Sequence, residues 1–138
     1  MQNGTYFVTV CTKDRHPLFG AVKSGEMVLS ENGEHARQCV ENIEAIYPSV
    51  LMDAYVVMPN HVHMLLVFLD YNANPLPRRI IQQYKSAVTK QIGFSPWQDD
   101  SYVSAILTAK KNRVVRRYIE ENPRRWKTDK YAVTEGEL

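Results

Sequence analysis

The sequence predicts an α+β fold in which one antiparallel sheet carries helices on one face. Three observations predict it. Several short runs are rich in β-branched and aromatic residues, longer stretches place apolar residues three and four positions apart, and the two patterns alternate as β-α-β-β-α-β followed by one more helix. Each of these elements is predicted from its local residues.

The first strand and the first helix come from unambiguous patterns. The run "TYFVTVCT", Thr5–Thr12, is β-branched and aromatic almost throughout, so it predicts a strand, and residues 13–20 after it predict a loop. Residues 31–47 carry apolar side chains at helical spacing, and Pro48 ends the predicted helix.

The next two strands are predicted to form a hairpin. The runs "VLMDAYVVM" and "HVHMLLVF" are separated only by "PN", where proline presets φ and asparagine tolerates turn geometry. His61 and His63 therefore stand at the start of the second strand of a pair.

The second half of the chain predicts two helices and one weaker strand. Pro77 suits the first turn of a helix that Gly93 would end, with "YNANPLP" and "FSPWQDD" as loops on either side. Residues 101–107 predict a short strand, and residues 109–122 a third helix that Pro123 ends. The polar residues after Asp129 are expected to form a loose tail.

This order of elements matches the split-βαβ, ferredoxin-like plan, which packs helices on one sheet face and leaves the other face open for ligands.

We expect one domain over residues 1–138, since 138 residues with 44% hydrophobic content suffice for a single core. No run reaches the roughly 18 apolar residues of a membrane span and no secretory signal is visible, so we expect a soluble, cytoplasmic protein without a membrane partner. Cys11 and Cys39 are expected to be buried thiols.

The charge is unevenly distributed along the chain. Residues 1–75 hold four Lys/Arg and eight Asp/Glu, whereas residues 76–138 hold thirteen and seven, so the halves carry −4 and +6. The second half is therefore the side expected to meet a polyanion, although an ordinary solvated helix face is the alternative. The candidate phosphate contacts are Lys85, Lys110, Lys111, Arg113, Arg116, Arg117, Arg124 and Arg125.

The pair His61 and His63 is the main chemical feature of the sequence. Alternation along a strand puts both imidazoles on one face, with Val62 and Met64 on the other, and two rings so placed can ligate one metal ion. Two histidines alone bind weakly, so a third ligand is expected from another element. The alternative is a pair of core histidines bonded to nearby polar groups.

The third helix offers that further ligand. Tyr118 and Asn122 are four residues apart, so they share a helix face and can point at the same ion or phosphate. The alternatives are a core aromatic for Tyr118 and a helix end for Asn122. Trp97, Tyr102 and Trp126 are candidates for stacking on bases, although at least one of the two tryptophans is expected to fill the core.

The motifs "YVVMPNHVHMLLVF", "WQ" and "YIEENPRRW" together resemble the HUH single-tyrosine transposases, most of all the REP-associated tyrosine transposase branch, and the resemblance covers nearly the whole chain. It implies that His61, His63 and Asn122 bind Mg²⁺ or Mn²⁺ and that Tyr118 is the nucleophile. The implied partner is single-stranded or hairpin DNA, cut through a covalent 5′-phosphotyrosine, and the implied enzyme is a monomer or a homodimer.

Other protein classes use two histidines spaced in this way. Histidine-triad hydrolases need a third histidine where this chain has Leu65, and cupins need a jelly roll of many strands, so neither fits. The remaining alternative is a non-catalytic ferredoxin-like protein that binds single-stranded nucleic acid, in which the histidines are incidental.

Overall fold

A computed structural model describes residues 4–69 and 76–129 of the chain. The described strands are β1 (Thr5–Thr12), β2 (Gly20–Lys23), β3 (Glu26–Leu29), β4 (Val50–Met58), β5 (His61–Phe68) and β6 (Trp97–Ala105). The described α-helices are α1 (Glu31–Glu41), α2 (Ile43–Ile46), α3 (Pro77–Ile92) and α4 (Ala109–Glu121). Among these residues, no helix is both long and apolar enough to cross a bilayer.

The main sheet has the strand order β4-β5-β1-β6, with every neighbouring pair antiparallel. The predicted ferredoxin-like α+β plan is confirmed by this order. Every second residue of β1 and β5 points to one face of the sheet. These side chains, among them Val10, Val62 and Leu66, fill one core together with side chains of α1 and α3. This apolar face is what holds the central strands in register.

The opposite face of the sheet is not fully open, because α4 packs on part of it. Val115 and Ile119, one turn apart, bury against Leu65 and Ile106 in a second, smaller apolar cluster. The expectation of an open second face is therefore wrong where α4 lies on it. The helix can dock there because its apolar side chains recur every four residues.

A short hairpin between β1 and α1 was not predicted. β2 and β3 pair in register from Gly20 with Leu29 to Lys23 with Glu26, so the loop predicted for residues 13–20 ends where β2 begins. Ser24 and Gly25 form its turn with φ values of 52° and 75°, the left-handed conformation of a tight hairpin. The Ser-Gly pair could have indicated the turn. Each strand, however, has only four residues, alternately exposed and partly buried, so neither contains a long apolar run.

The predicted helix boundaries hold with one exception. α3 begins at Pro77 and ends at Gly93, whose φ of 90° needs a residue without a side chain. The helix predicted for residues 31–47 is divided at Asn42 into α1 and α2. The tail after residue 129 and most of the loop before Pro77 lie outside the described residues.

β6 starts four residues earlier than predicted. Trp97 is buried between Phe19 and Tyr84 and pairs with Thr12, so the prediction of "FSPWQDD" as a loop is wrong in its second half. The polar residues after Trp97 belong to an exposed edge strand with a register shift, which hides the alternation that marks a strand. Trp97 is the expected core tryptophan, and Cys11 and Cys39 are both buried, as expected.

Candidate active site

β5 turns His61 and His63 toward α4. His63 lies opposite Thr9 of β1, and His61 lies opposite Cys11, so both imidazoles leave the sheet on the face away from α1 and α3. Their ring centroids are 4.5 Å apart. The rings are 0% and 1% exposed, which is more burial than an open sheet face would produce.

The hydrogen bonds of His61 identify its tautomer. The Asn60 amide nitrogen donates to the Arg15 carbonyl at 3.2 Å, which turns the amide oxygen of Asn60 toward His61 Nδ1 at 2.8 Å. Because that oxygen only accepts, Nδ1 carries a proton in this bond. Nε2 of the neutral ring then presents a lone pair, as a metal-ligating histidine does.

His63 is held by a different partner. Its Nδ1 lies 2.8 Å from Thr9 Oγ1, and its ring packs against Phe7 at 5.2 Å and Tyr118 at 5.3 Å between centroids. Each histidine is thus fixed by a polar partner at Nδ1, the arrangement that orients ligating rings in metal sites.

α4 brings Tyr118 and Asn122 to the histidines. The Thr108 side chain accepts from the Lys111 backbone N–H and starts the helix, and Asn122 is its C-terminal cap, 1% exposed. The amide oxygen of Asn122 lies 3.3 Å from His61 Nε2. Residues 61 positions apart in sequence therefore meet through the docking of one helix.

The contact between His61 and Asn122 joins two electron-pair donors. Nε2 of the neutral ring and the amide oxygen both accept hydrogen bonds, so at 3.3 Å they repel one another unless a cation is shared between them. That cation is either a proton on His61 or a metal ion. Two imidazoles and an amide oxygen form a donor set that suits a divalent ion, so the residues fit the implied Mg²⁺ or Mn²⁺. Within residues 4–69 and 76–129 no three His, Cys, Asp or Glu side chains cluster as an alternative metal site.

Tyr118 is half-buried and lies at the wall of a cavity of about 510 Å³, not inside the apolar core. His63, Phe7 and Tyr102 line the same cavity. Burial raises the pKa of the Tyr118 phenol, and the nearby carboxylate of Asp129 adds to the rise, while a hydrogen bond with Asn122 works in the opposite direction. The phenol therefore has access to a space large enough for a nucleotide phosphate beside His63.

The segment after α4 covers the site, and Asp129 in it was missed by the sequence reasoning. The Trp126 ring stacks on His61 with centroids 6.1 Å apart. Asp129 accepts from the Asn122 amide nitrogen at 2.9 Å and from the Tyr118 hydroxyl at 3.4 Å. In the sequence, Asp129 is only one of the few acids in a basic stretch, and its position after Pro123 breaks the helical spacing that reveals Tyr118 and Asn122.

The cationic candidates do not all lie together. Lys110, Arg113, Arg117 and Arg125 line a groove of about 540 Å³ that also includes Tyr118. Lys111 is exposed on the same helix. Lys110, Arg113, Arg117 and Arg125 form a basic surface next to Tyr118, in which Glu121 pairs with Arg125.

Three other candidates have different surroundings. Arg116 pairs with Asp53 of β4, with 2.6 Å between Nη2 and Oδ2, and Arg124 lies beside the turn of the β2–β3 hairpin at Gly25. Lys85 Nζ donates to the carbonyl of Gln98 at 2.9 Å, and burial lowers its pKa. The structure does not bring Lys85 to Tyr118, so its contact with phosphate stays a prediction.

The chain is similar in sequence to a protein of Haemophilus influenzae. No protein-family model matches the sequence. An uncharacterized protein from Haemophilus influenzae is 30% identical over 94% of this chain and 86% of its own length.

Two solved structures share the fold. A REP-associated tyrosine transposase bound to a REP hairpin matches with a TM-score of 0.70 at 22% identity, over 89% of this chain and 68% of that one. A candidate transposase from Deinococcus radiodurans matches with a TM-score of 0.58 at 19% identity, over 87% of this chain and 91% of that one. The resemblance to this group that the motifs indicate is confirmed at the level of the fold.

Proposed function

Because the chain belongs to one family with the Haemophilus influenzae protein and has the fold of a REP-associated tyrosine transposase, we propose that it is a transposase-like enzyme that nicks and rejoins DNA. The substrate is single-stranded or hairpin DNA, and the whole chain forms one nuclease domain. The REP-associated tyrosine transposase that shares this fold is bound to a REP hairpin, which supports the choice of DNA.

Tyr118 is the proposed nucleophile. Its oxygen attacks the phosphorus of a DNA phosphate while the bond from phosphorus to the 3′-oxygen breaks. The phenol proton passes to water, and the leaving oxygen takes a proton from water to become a 3′-hydroxyl. The product is a 5′-phosphotyrosine, whose ester bond retains the energy needed to rejoin the strand. Burial and Asp129 raise the pKa of the phenol, which favours its protonated form before DNA binds.

His61, His63 and Asn122 are the proposed ligands of a divalent cation. The chemistry that Mg²⁺ or Mn²⁺ supplies there is neutralisation of the charge on a phosphate oxygen. The protein's own contribution is to hold both rings through Asn60 and Thr9 and to keep the site buried against Trp126. Burial strengthens the interaction of the site with a charged phosphate.

The basic surface of α4 is the proposed path of the DNA backbone. Lys110, Arg113 and Arg117 follow one side of the helix toward Tyr118, so a strand held along it would present a phosphate to the phenol. Tyr102, 54% exposed at the cavity wall, is the proposed stacking partner for an unpaired base.

The observation that carries the proposal is the meeting of the Tyr118 ring with His63 at 5.3 Å and of Asn122 with His61 at 3.3 Å within one chain. The test is incubation of the protein with a labelled single-stranded hairpin and Mn²⁺, followed by denaturing electrophoresis. Wild type is expected to form a covalent adduct, and Tyr118→Phe none, with its melting temperature nearly unchanged.

The control is Tyr47→Phe, a partly buried tyrosine away from the site, which should form the adduct normally. Retention of DNA without any adduct in the wild type would support the non-catalytic binder instead. A melting temperature that collapses in Tyr118→Phe would show that Tyr118 serves the fold.

A further inference from the structure

The amide of Asn122 has two different ends, and each end meets a different group. Its oxygen faces His61 Nε2 at 3.3 Å, and its nitrogen donates to Asp129 Oδ2 at 2.9 Å. Asn122 is 1% exposed, so water does not compete for either end. The direction in which the amide points is therefore decided by these two neighbours.

A reversed amide would satisfy His61 better in the absence of a metal ion. While the His61 ring is neutral, an amide nitrogen turned toward it would donate a hydrogen bond to the Nε2 lone pair, whereas the observed orientation sets two acceptors against one another. An unconstrained asparagine would take the reversed orientation, and the metal site would close into an ordinary asparagine–histidine hydrogen bond.

Asp129 opposes that reversal. A carboxylate only accepts, so turning the amide would set its oxygen against Asp129 Oδ2 in place of the 2.9 Å hydrogen bond. Hydrogen bonds to ionised groups are roughly twice as strong as neutral ones, so the bond to Asp129 outweighs the neutral bond that His61 would gain. The contact of Asp129 with the Tyr118 hydroxyl, at 3.4 Å, is too long to decide the matter.

We propose that Asp129 is a positioning residue that locks the Asn122 amide with its oxygen toward His61 and so keeps the cation site open before metal binds. This inference rests on the proposed function, in which Asn122 and His61 ligate a divalent ion. Asp129 acts through Asn122 and need not touch the ion itself.

The turn after α4 holds Asp129 in place for this role. The Thr128 backbone N–H donates to the Arg125 carbonyl at 3.0 Å, and the Asp129 backbone N–H donates to the Trp126 carbonyl at 3.1 Å. Trp126, inside this turn, stacks on His61. The segment that carries the Asp129 carboxylate therefore also packs on His61, the residue that the Asn122 amide oxygen faces.

The first test is Mn²⁺ titration of the full chain without DNA, comparing wild type with Asp129→Asn. The variant side chain has the same shape but can donate, so it permits the reversed Asn122 amide, and Mn²⁺ affinity should fall about 10- to 100-fold. Asp99→Asn, the same change at an exposed position of β6, should leave the affinity unchanged.

The second test is rescue. In the double variant Asn122→Asp with Asp129→Asn, residue 122 has two equivalent oxygens and residue 129 can donate to one of them, so Mn²⁺ affinity should return. A loss in Asp129→Asn that the double variant does not repair would overturn the proposal, as would an unchanged affinity in Asp129→Asn.

The third test observes the amide itself by NMR of ¹⁵N-labelled protein without metal. Asp129→Asn should show a coupling across a hydrogen bond from the Asn122 amide to His61 Nε2, and wild type should show none. Absence of that coupling in the variant would contradict the locking role. A lower Mn²⁺ affinity without the coupling would indicate that Asp129 ligates the ion directly.

If His61→Ala left Mn²⁺ affinity unchanged, the proposed metal site would fail. If His61→Ala weakened binding and Asp129→Asn did not, only the role of Asp129 would fail.

Discussion

The two faces of β5 are buried to the same extent and are built from different chemistry. On one face Val62, Met64 and Leu66 are at most 1% exposed inside the main core, and on the other His61 and His63 are equally buried. The first face gains stability from burial alone, whereas the second must compensate for removing two imidazoles from water.

The face of β5 with the two histidines contributes less to the stability of the fold than the apolar face does. Thr9 and Asn60 bond the histidines at Nδ1, so the cost of burial is offset on one side of each ring. The remaining Nε2 of His61 faces the Asn122 amide oxygen, and with a neutral ring this pair of acceptors does not offset the cost of burial. Buried polar groups arranged in this way are typical of functional sites, where preorganisation is worth more than packing.

The face of β5 that carries His61 and His63 is called the histidine face. The largest expected effect comes from replacing polar side chains there with apolar ones. The double variant Thr9→Val with His63→Leu removes both partners of one hydrogen bond, so the free energy of unfolding should change by less than about 1 kcal/mol. Mn²⁺ affinity should fall and adduct formation should be lost. Urea unfolding and the hairpin assay measure the two results.

The matched variant on the opposite face is Leu66→Ala. It leaves a cavity in the main core and should lower the free energy of unfolding by about 2–5 kcal/mol. If the double variant were destabilised as strongly as Leu66→Ala, the two faces would serve the fold alike, and the histidines would be structural.

A smaller effect is expected from the basic surface of α4. Arg113→Gln and Arg117→Gln should each reduce the slope of log affinity against log salt concentration by about 0.7, the value for one lost phosphate contact with a single strand. Fluorescence anisotropy with labelled DNA measures it. Arg37→Gln removes the same charge on α1, where Arg37 pairs with Glu34 and Glu41, and should leave the slope unchanged.

The smallest effect concerns a polar contact on the side of the sheet that carries the main core. Burial and the hydrogen bond to Glu41 raise the pKa of Tyr55 to about 12 from its ordinary value of 10.0. The raised pKa means that the folded state prefers the neutral phenol, so this contribution to stability is complete below pH 10 and is lost as the pH rises toward 12. Tyr55→Phe should flatten that part of the stability curve without changing adduct formation.

Sequence patterns predicted those parts of the fold that depend on local residues. The β4–β5 hairpin, α3 between Pro77 and Gly93, and α4 up to Asn122 each have a long apolar pattern with a clear stop. The β2–β3 hairpin and the start of β6 were missed because their strands are short, or exposed at an edge, and the contacts that stabilise them are distant in sequence.

The candidate site divides in the same way. The shared face of His61 and His63 follows from strand alternation, and that of Tyr118 and Asn122 follows from helical spacing. Asn60, interpreted as a turn residue, and Asp129, beyond the helix, join the site only through tertiary contacts. No periodic pattern marks such residues, because the chain brings them to the site only when it folds.

The central claim is that the histidine face of β5 is built for a cation beside Tyr118. Pulsed electron paramagnetic resonance of the protein with one equivalent of Mn²⁺ tests it most directly, because nitrogen ligands couple to the metal electrons. We expect couplings from two imidazole nitrogens, reduced to one in His61→Ala and in His63→Ala. Mn²⁺ that shows only oxygen ligands, or that does not bind, would contradict it.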